Sequence, residues 1–361
     1  MAHSASPSDR SHPAPGETPS PNGVSFVVPV HNGARWLDET LSAIFVQADG
    51  RPFEVLAVDD GSTDASPAIL EAHAARGNVR VMPGPGRGAA AAINVGVRAA
   101  VHPIICQVDQ DVILRPGWMR CLTAALSDAS VGAAQGYYLT AQDAGIWARG
   151  MGLDLEQRYG RIRGTNVDHV CTGNSAYRAA ALRQVSFFDE TLGYGYDNDM
   201  SYRLAAAGYR LMFCREARSV HRWRETMWGY LGQQYGVGYG RLDLIAKHRG
   251  RAGGDDVSGL RMILHAPAML CALAALTIAM LLAAIGAPWR LPAVVGGGVL
   301  VILALDRLVA GLEVLIRRGD LAGLTFVPIH LLRDAAWALA LIVWTARRLG
   351  RQARRPSHSM R

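Results

Sequence analysis

Between residues 24 and 126 the chain alternates short apolar runs with longer amphipathic stretches. Each apolar run has the length and β-branched content of a strand, and each stretch between runs repeats its apolar residues at helical spacing. Strands are predicted over 24–30, 53–58, 79–82 and 104–108, and helices over 34–48, 64–76, 87–100 and 116–126. This alternation predicts right-handed crossovers, a parallel sheet and an α/β fold.

The pattern is less regular between residues 132 and 247. It predicts strands over 132–139 and 209–214, helices over 146–161 and 197–207, an amphipathic segment over 226–247, and short polar stretches over 170–177 and 219–221. Three helix ends carry specific signals. Thr63 or Asp64 is expected to cap the helix over 64–76, Pro116 to open the helix over 116–126, and Gly208 to end the helix before it.

Residues 260–346 consist mostly of Leu, Ala, Val, Ile and Gly. The stretch 262–285 carries no charge and is long enough to cross a bilayer, which takes about 20 apolar residues. A second candidate, 291–316, contains Asp306, Arg307 and Glu313. The third, 321–346, is interrupted by Arg333-Asp334, each charge costing roughly 3 kcal/mol in hydrocarbon. We therefore expect the first two to cross the membrane, the third to be re-entrant or interfacial, and the C-terminus to be cytoplasmic.

The net charge of +7 is concentrated on both sides of the apolar region. The flanking cations are Arg241, Lys247, Arg249 and Arg251 before it and Arg347, Arg348, Arg351, Arg354 and Arg355 after it. This placement favours membrane lipid as a partner and argues against nucleic acid. The first 22 residues are too poor in large apolar groups to fold and lack the apolar core of a signal peptide, so the part of the chain before the apolar region is expected in the cytoplasm. Five scattered cysteines without a CxxC pair indicate a reducing compartment.

Carboxylates follow two predicted strands at the point where each strand ends. Asp59 and Asp60 follow the strand over 53–58, and Asp109 and Asp111 follow the strand over 104–108. Ligands of open α/β sheets bind at the carboxyl ends of parallel strands, although Asp-Gly-Ser-Thr-Asp alone also fits a strand-end turn. Asp109 and Asp111 can share one face, where Mg²⁺ or Mn²⁺ needs few carboxylates besides substrate phosphates. No GxGxxG fingerprint or P-loop is present, which argues against a dehydrogenase or ATPase.

This order of motifs resembles the family 2 glycosyltransferases, inverting GT-A enzymes that use nucleotide sugars, over roughly residues 24–250. The resemblance implies a GT-A type, Rossmann-like nucleotide-sugar domain followed by a helical membrane region. It places Asp60 on the nucleobase, with Pro29 and Val30 lining the same pocket, and Asp109 near the ribose. Arg87-Gly88 with Asn94 resembles a further family segment beside the donor, although a capped turn and a packing glycine explain these residues equally well.

The resemblance also implies a divalent metal, Mg²⁺ or Mn²⁺, on Asp111. His221 lies where related enzymes often place a histidine that completes the metal shell, although a lone histidine is more often a plain surface or core residue. Asp197 opens the helix over 197–207 and is the expected base, which takes the acceptor hydroxyl proton. Asp199 is the competitor, but its spacing to Arg203 predicts a structural ion pair. The family's Glu-Asp is Tyr196-Asp197 here, which weakens inferences about the acceptor.

Two segments are candidates for acceptor contacts. Thr172-Gly173-Asn174 resembles the acceptor-side turn of the family, where small residues let the backbone approach substrate, and the plain alternative is a capped turn. The segment 224–258 resembles that of membrane-bound members of exopolysaccharide assembly, where a helix lies at the bilayer surface. We expect Gln234 and Arg241 there to help hold the diphosphate or a lipid-linked acceptor.

The expected division of the chain is a disordered tail over 1–22, a GT-A domain over 23–223, an interfacial segment over 224–258, transmembrane helices over 259–346 and a basic tail over 347–361. The expected function is a membrane-anchored inverting glycosyltransferase of hexosyltransferase type, with a polyprenyl-linked saccharide as acceptor. One alternative is a polyprenyl-phosphate glycosyltransferase that charges the lipid carrier itself. A non-catalytic membrane scaffold is the alternative of another class. A processive synthase is disfavoured, because no QxxRW segment is present.

Overall fold

The computed structural model describes Ser20 and residues 22–353, the last three by their backbone alone. The predicted tail over 1–22 lies outside the described residues, apart from Ser20 and Asn22. Arg354 and Arg355 also lie outside them. The chain divides into two compact units. Among the described residues, the sheet unit comprises those up to 138 together with 164–221, and the helical unit comprises 139–163 together with 222–353.

The sheet unit is built on one mixed sheet of eight strands with the order β3-β2-β1-β4-β7-β6-β8-β5. The strands are β1 Val24–Val30, β2 Phe53–Asp59, β3 Arg80–Pro83, β4 Ile104–Val108, β5 Val112–Leu114, β6 Val131–Thr140, β7 Asn174–Arg178 and β8 Arg210–His221. Strands β1 to β4 pair in parallel as predicted, but β7 pairs antiparallel with β4 and with β6, and β5 pairs antiparallel with β8. The parallel sheet predicted from the strand–helix repeat is thus confirmed for β1 to β4, and the pairing becomes antiparallel beyond β4, where that repeat ends.

Six helices of this unit flank the sheet: α1 Ala34–Phe45, α2 Ser66–Ala75, α3 Ala89–Ala99, α4 Trp118–Ala125, α6 Ala179–Gln184 and α7 Tyr196–Ala206. Helix α1 is amphipathic and buries Leu37, Leu41 and Ile44. Helix α3 packs closely on the sheet, since a Cβ on Gly96 would lie 2.5 Å from Cγ1 of Val27. The parallel half of the sheet is therefore covered by helices, as its apolar strands require.

Several element ends differ from the predictions. Helix α2 begins at Ser66 with Ala65 at its N-cap. Asp64 does not occupy the cap position, because one of its carboxylate oxygens accepts the N–H of Ser66 and the other accepts the N–H of Ala34. Helix α4 begins at Trp118, after Gly117 turns the chain in a left-handed conformation, so Pro116 is not its first residue. Strand β8 is continuous from Arg210 to His221 rather than ending at 214.

The helical unit contains α5 Ile146–Gly160, α8 Met227–Lys247, α9 Leu260–Ile263, α10 His265–Ala284, α11 Arg290–Arg318 and α12 Phe326–Ala353. Helix α8 is the predicted amphipathic segment, and its N-cap Thr226 accepts the N–H of Gly229 at 3.1 Å. It lies alongside α12, where Trp344 Nε1 donates to Oδ1 of Asp243 at 2.7 Å. Gly238 permits this packing, because a Cβ there would lie 2.9 Å from the Trp337 ring.

A buried ion network joins α5, α10, α11 and α12 and comprises Asp154, His265, Arg307, Arg333 and Asp334. Each of these residues is at most 6% exposed. Asp154 pairs with Arg307 at 3.3 Å and with Arg333 at 3.4 Å. Asp334 pairs with Arg333 at 2.9 Å and with Nδ1 of His265 at 2.8 Å. The charges that interrupt the predicted third span are thus satisfied inside the protein.

Two helical segments of the described chain are long and apolar enough to cross a membrane, Leu260–Ala284 and Leu321–Gly350. The first agrees with the prediction. The predicted span over 291–316 is not one of these two segments of the described chain, and its apolar run is interrupted at Asp306-Arg307. The third segment contains the continuous helix α12, without the break that a re-entrant segment needs.

Candidate active site

The carboxyl end of β4 and the end of β8 bring Asp109, Asp111 and His221 together. Strand β5 follows Asp111 directly and pairs Val112 with His221 of β8, which places the imidazole beside the carboxylate. Nε2 of His221 lies 3.9 Å from Oδ1 of Asp111. One ligand atom from each of the three residues lies within 4.8 Å of the others. The three residues singled out around the metal and ribose therefore form one cluster.

The electrostatics of this cluster favour a cation. Burial and then the neighbouring charge of Asp111 raise the pKa of Asp109 to about 6, and the charge of Asp197 adds to the rise. A hydrogen bond from Gln107 Nε2 to Oδ1 of Asp109, 2.8 Å long, acts in the opposite direction. Two carboxylates and an imidazole with this geometry fit the hard-metal chemistry of Mg²⁺ or Mn²⁺.

Asp60 lies at the carboxyl end of β2 and is almost buried. Its two carboxylate oxygens accept the backbone N–H groups of Gly86 and Gly88, each at 2.7 Å. Gly84 approaches it so closely that a Cβ would lie 2.5 Å from Oδ1. The loop 84–88 thus wraps this carboxylate, and each oxygen keeps a further lone pair for another donor. The backbone N–H of Asp60 donates to the carbonyl of Val30 at 2.7 Å, which places Pro29 and Val30 beside it.

The two other donor-side candidates have different surroundings. The Arg87 side chain is 65% exposed and pairs with Glu190 at 2.8 Å. Asn94 is fully buried: its Nδ2 donates to the carbonyl of Phe188 and to Glu190, and its Oδ1 accepts the Phe188 N–H, all at 2.9 Å. The contacts described for Asn94 therefore hold the loop at 188–190 in place.

The turn at 171–174 carries the acceptor-side candidates Gly173 and Asn174. Gly173 has φ +87°, and any Cβ there would collide with Oδ2 of Asp109. Asn174 is fully buried and accepts the indole N–H of Trp118 at 2.5 Å. Gly173 is thus the residue that lets the turn approach Asp109. The hydrogen bond between Asn174 and Trp118 lies in the interior of the sheet unit.

Asp197 and Asp199 occupy the first turn of α7 in different environments. Asp197 is partly exposed, and its Oδ1 accepts the N–H of Asn198 at 2.9 Å. Asp199 is fully buried and pairs with Arg203 at 2.8 Å. The predicted ion pair of Asp199 is thus present, and Asp197 is the carboxylate of this helix that solvent can reach.

Three residues around the cluster were not predicted from the sequence: Gln107, Trp118 and Tyr138. Gln107 is fully buried, and its amide contacts both Asp109 and the N–H of Gly173. The Tyr138 hydroxyl donates to the carbonyl of Thr172 at 2.8 Å, and its ring lies edge-on to His221 at 5.3 Å. A polar residue inside the otherwise apolar run Ile104–Val108 was the available signal for Gln107. Gln234 and Arg241 belong to α8 of the helical unit, where Arg241 pairs with Asp255 at 2.8 Å.

Residues 25–186 match the family model described as glycosyl transferase family 2. A pre-mycofactocin glycosyltransferase of Mycobacterium tuberculosis is 29% identical over 257 residues, which cover 69% of this chain and 53% of that protein. An N-acetylglucosaminyltransferase of Mesorhizobium japonicum is 28% identical over 246 residues, 62% of this chain and 57% of that protein. The chain thus spans about half the length of these curated relatives.

Among solved structures, the mannosyltransferase PcManGT from Pyrobaculum calidifontis, in complex with GDP-Man and Mn²⁺, superposes with a TM-score of 0.56. The alignment covers 92% of this chain and 90% of that one at 18% sequence identity, so it bears on the fold alone. The mixed sheet, the carboxylates at its strand ends and the family match over 25–186 agree with one another. Residues 25–186 therefore form a family 2 glycosyltransferase domain, and its sheet has the GT-A fold.

Proposed function

We propose that this protein is an inverting glycosyltransferase that moves a sugar from a nucleoside-diphosphate sugar to an acceptor. The observation that carries the proposal is the cluster of Asp109, Asp111 and His221 at the carboxyl end of a family 2 sheet, within electrostatic reach of Asp197. Asp60 is the proposed nucleobase contact, Arg87 and Asn94 are the further donor-side residues, and Gly173 and Asn174 are those of the acceptor side.

Asp197 is the proposed base. Inverting transfer needs a group that takes the acceptor hydroxyl proton while the oxygen attacks the anomeric carbon. Asp197 lies in the first turn of α7, is partly exposed, and its Oδ1 accepts the N–H of Asn198 at 2.9 Å. Asp199 is buried under its ion pair with Arg203 and is shielded from an acceptor.

Asp111 and His221 are the proposed ligands of a divalent metal, Mg²⁺ or Mn²⁺, and Asp109 lies beside them near the ribose. A bound divalent cation supplies charge neutralisation at a departing diphosphate. Burial and then the charge of Asp111 raise the pKa of Asp109, and a cation would offset the repulsion between the two carboxylates. The PcManGT complex contains Mn²⁺.

Membrane attachment through the helical unit is part of the proposal, with the sheet unit in the cytoplasm. The most apolar window of Leu260–Ala284 is only 17% buried, which is unlike the core helix of a soluble protein. Large apolar side chains point outward on α10 and continue on α11, among them Met280, Leu281, Val294, Ile302 and Val309, each at least 64% exposed. A contiguous apolar exterior of this kind marks a surface that lipid covers.

A lipid-linked acceptor, such as a polyprenyl-linked saccharide, fits a groove in the same unit. The groove has a volume of about 320 Å³ and lies between α8, α10 and α12. Its walls are mainly apolar, with Val237, Leu242, Ile263, Trp337 and Leu341 among them, and Arg241 lies at its polar side. A hydrocarbon chain matches such walls, and Arg241 is the cation nearest to them for an anionic head group.

The decisive experiment is turnover by the full chain in detergent or in membranes. We would incubate it with Mn²⁺, a polyprenyl-linked acceptor and a panel of UDP- and GDP-sugars, and measure released nucleoside diphosphate. We expect the wild type to release nucleoside diphosphate from one donor and Asp111→Asn to release none. Donor hydrolysis or transfer that is equally fast in Asp111→Asn would remove the site assignment.

Two other functions give different results in the same assay. A polyprenyl-phosphate glycosyltransferase would use bare polyprenyl phosphate and would not need a lipid-linked sugar. A non-catalytic scaffold would bind nucleotide without turning over any donor in the panel. The intact set of Asp60, Asp109, Asp111, Asp197 and His221 favours the enzyme over the scaffold.

A further inference from the structure

The turn Cys171-Thr172-Gly173 is held by side chains that come from the strands beneath it. Gln135 Oε1 accepts the N–H of Cys171 at 2.7 Å, and the Tyr138 hydroxyl donates to the carbonyl of Thr172 at 2.8 Å. Gln107 Oε1 accepts the N–H of Gly173. The turn is therefore fixed to β4 and β6 through three side-chain contacts, in addition to the backbone bond from the Asp109 N–H to the carbonyl of Gly173 at 3.3 Å.

Gln107 differs from the other two because its amide reaches the proposed nucleotide and metal site directly. Its Oε1 holds Gly173, and its Nε2 donates to Oδ1 of Asp109 at 2.8 Å. The side chain is fully buried, so water does not replace either bond. Gln107 is the penultimate residue of β4 and Asp109 directly follows the strand, so the alternation of side chains along a strand places both on the same face of the sheet.

We propose that Gln107 is a positioning residue of this site, which sets the distance between Asp109 and the Cys171–Gly173 turn. The proposal rests on the function proposed above for Asp109, Asp111 and His221. The fixed amide leaves Oδ2 of Asp109 as the oxygen that faces Gly173, and it prevents the carboxylate from rotating away from Asp111. Groups that orient metal-site carboxylates typically contribute about 10- to 100-fold in metal affinity.

Mn²⁺ binding to the full chain in detergent tests this role without a turnover assay. The free-Mn²⁺ signal in electron paramagnetic resonance would be titrated with the wild type, Gln107→Met and Gln107→Glu, in the presence of UDP and, separately, of GDP. Met keeps the length of the side chain but makes neither bond. Glu keeps the acceptor for Gly173 and loses the donor to Asp109, so it isolates the second bond.

Gln47→Met is the matched control. Gln47 is also a buried bridging amide of the sheet unit, but its Nε2 donates to the carbonyls of Ala43 and Arg115, away from the cluster. Gln107→Met and Gln107→Glu should each raise the Kd for Mn²⁺ by about tenfold or more, measured well below their melting temperatures. Gln47→Met should lower the melting temperature and leave the Kd unchanged.

The outcomes separate the two proposals. If the wild type fails to bind Mn²⁺ both in the presence of UDP and in the presence of GDP, the proposed metal site itself fails. If the wild type binds Mn²⁺ and both Gln107 variants bind it equally well, the function stands and the positioning role is wrong. Tighter binding by Gln107→Glu would show that charge rather than position governs the site, and would also overturn the proposal.

Discussion

At the scale of single residues, Asp197 and Asp199 make the sharpest pair for testing the reaction. Asp197→Asn keeps the shape of the side chain but cannot take a proton. It should bind nucleotide nearly as the wild type does while the rate falls by about two to four orders of magnitude. Turnover and donor binding, measured side by side, check this expectation.

Asp199→Asn is the matched control two residues further along the same helix. It should lower the melting temperature, because it weakens the buried pair with Arg203, and retain most of the rate. An inactive Asp199→Asn together with an active Asp197→Asn would reverse the two roles.

The raised pKa of Asp109 predicts a pH dependence with a definite sign. The carboxyl loses its proton near 3.8 in the unfolded chain and near 6 in the folded one, so this group makes the metal-free protein less stable as the pH rises between those values. The ionised carboxylate lies beside the proposed metal ligands and attracts the cation, so the affinity for Mn²⁺ should increase as the pH rises through about 6. Mn²⁺ titrations between pH 5 and 8 measure this step.

Asp109→Asn separates the contribution of this carboxyl from that of the other two groups in the cluster. The variant should bind Mn²⁺ more weakly at pH 7.5 and show a shallower dependence on pH. A wild-type affinity that is constant between pH 5 and 7.5 would contradict the assignment.

Gly173 is a residue of the site whose conformation and contacts leave little room for substitution. Gly173→Ala introduces a Cβ at φ +87°, which costs about 1 to 2 kcal/mol, and pushes it against Asp109. Mn²⁺ binding should weaken together with the melting temperature. Gly61→Ala is the control, because Gly61 has a similar φ of +85° but a Cβ there meets no atom within 4 Å. Equal losses of Mn²⁺ affinity in both variants would mean that backbone strain alone explains the effect.

At the scale of elements, the packing of α8 on α12 gives a prediction about stability. Gly238→Ala places a methyl group 2.9 Å from the Trp337 ring and should lower the free energy of unfolding of the helical unit by about 1 to 3 kcal/mol. Gly232→Ala lies on the same helix, where a Cβ meets no atom within 4 Å, and should be neutral or stabilising. Thermal unfolding in one detergent compares the two variants, and equal melting temperatures would contradict the described packing.

The elements also show where the sequence was sufficient and where it was not. Strands β1 and β4 and helix α5 were placed within one residue of their ends, because apolar period and turn residues agree there. Strand β5 was missed, since three residues carry no period. The antiparallel half of the sheet depends on pairings between strands distant in the chain, such as β4 with β7, which local pattern does not specify.

The same limit applies to the site. Asp111 and His221 were predicted because a family resemblance supplied their roles, and the structure brings them together. Gln107 was not singled out, because a buried glutamine is recognised as a positioning group only when its partners, Asp109 and Gly173, are known. The engagement of Asn94 with residues 188–190 likewise depends on a contact across more than ninety positions.

At the scale of the whole molecule, the apolar exterior of the helical unit predicts how the protein behaves in cells. It should remain with membranes after extraction with alkaline carbonate and be released by detergent. Cys271 is an exposed residue of α10 and should resist a water-soluble maleimide in intact membranes. Ala287→Cys, in the connection between α10 and α11, should be labelled from one side of the membrane. Release by carbonate, or rapid labelling of Cys271, would contradict membrane insertion.

The ion network has a consequence for the order in which the protein is made. Within this network, Arg333 and Asp334 are synthesised last. Their partners Asp154 and His265 leave the ribosome earlier. The charges of a newly made α12 are therefore neutralised only where α5 and α10 are already in place. Until then they are exposed to the cell's quality control. Asp154→Asn withdraws one counter-charge from two buried arginines, a loss of about 3 to 5 kcal/mol for a broken buried pair. The variant should be degraded during biogenesis rather than accumulate as an inactive enzyme, so its abundance in pulse–chase labelling reports assembly and not catalysis.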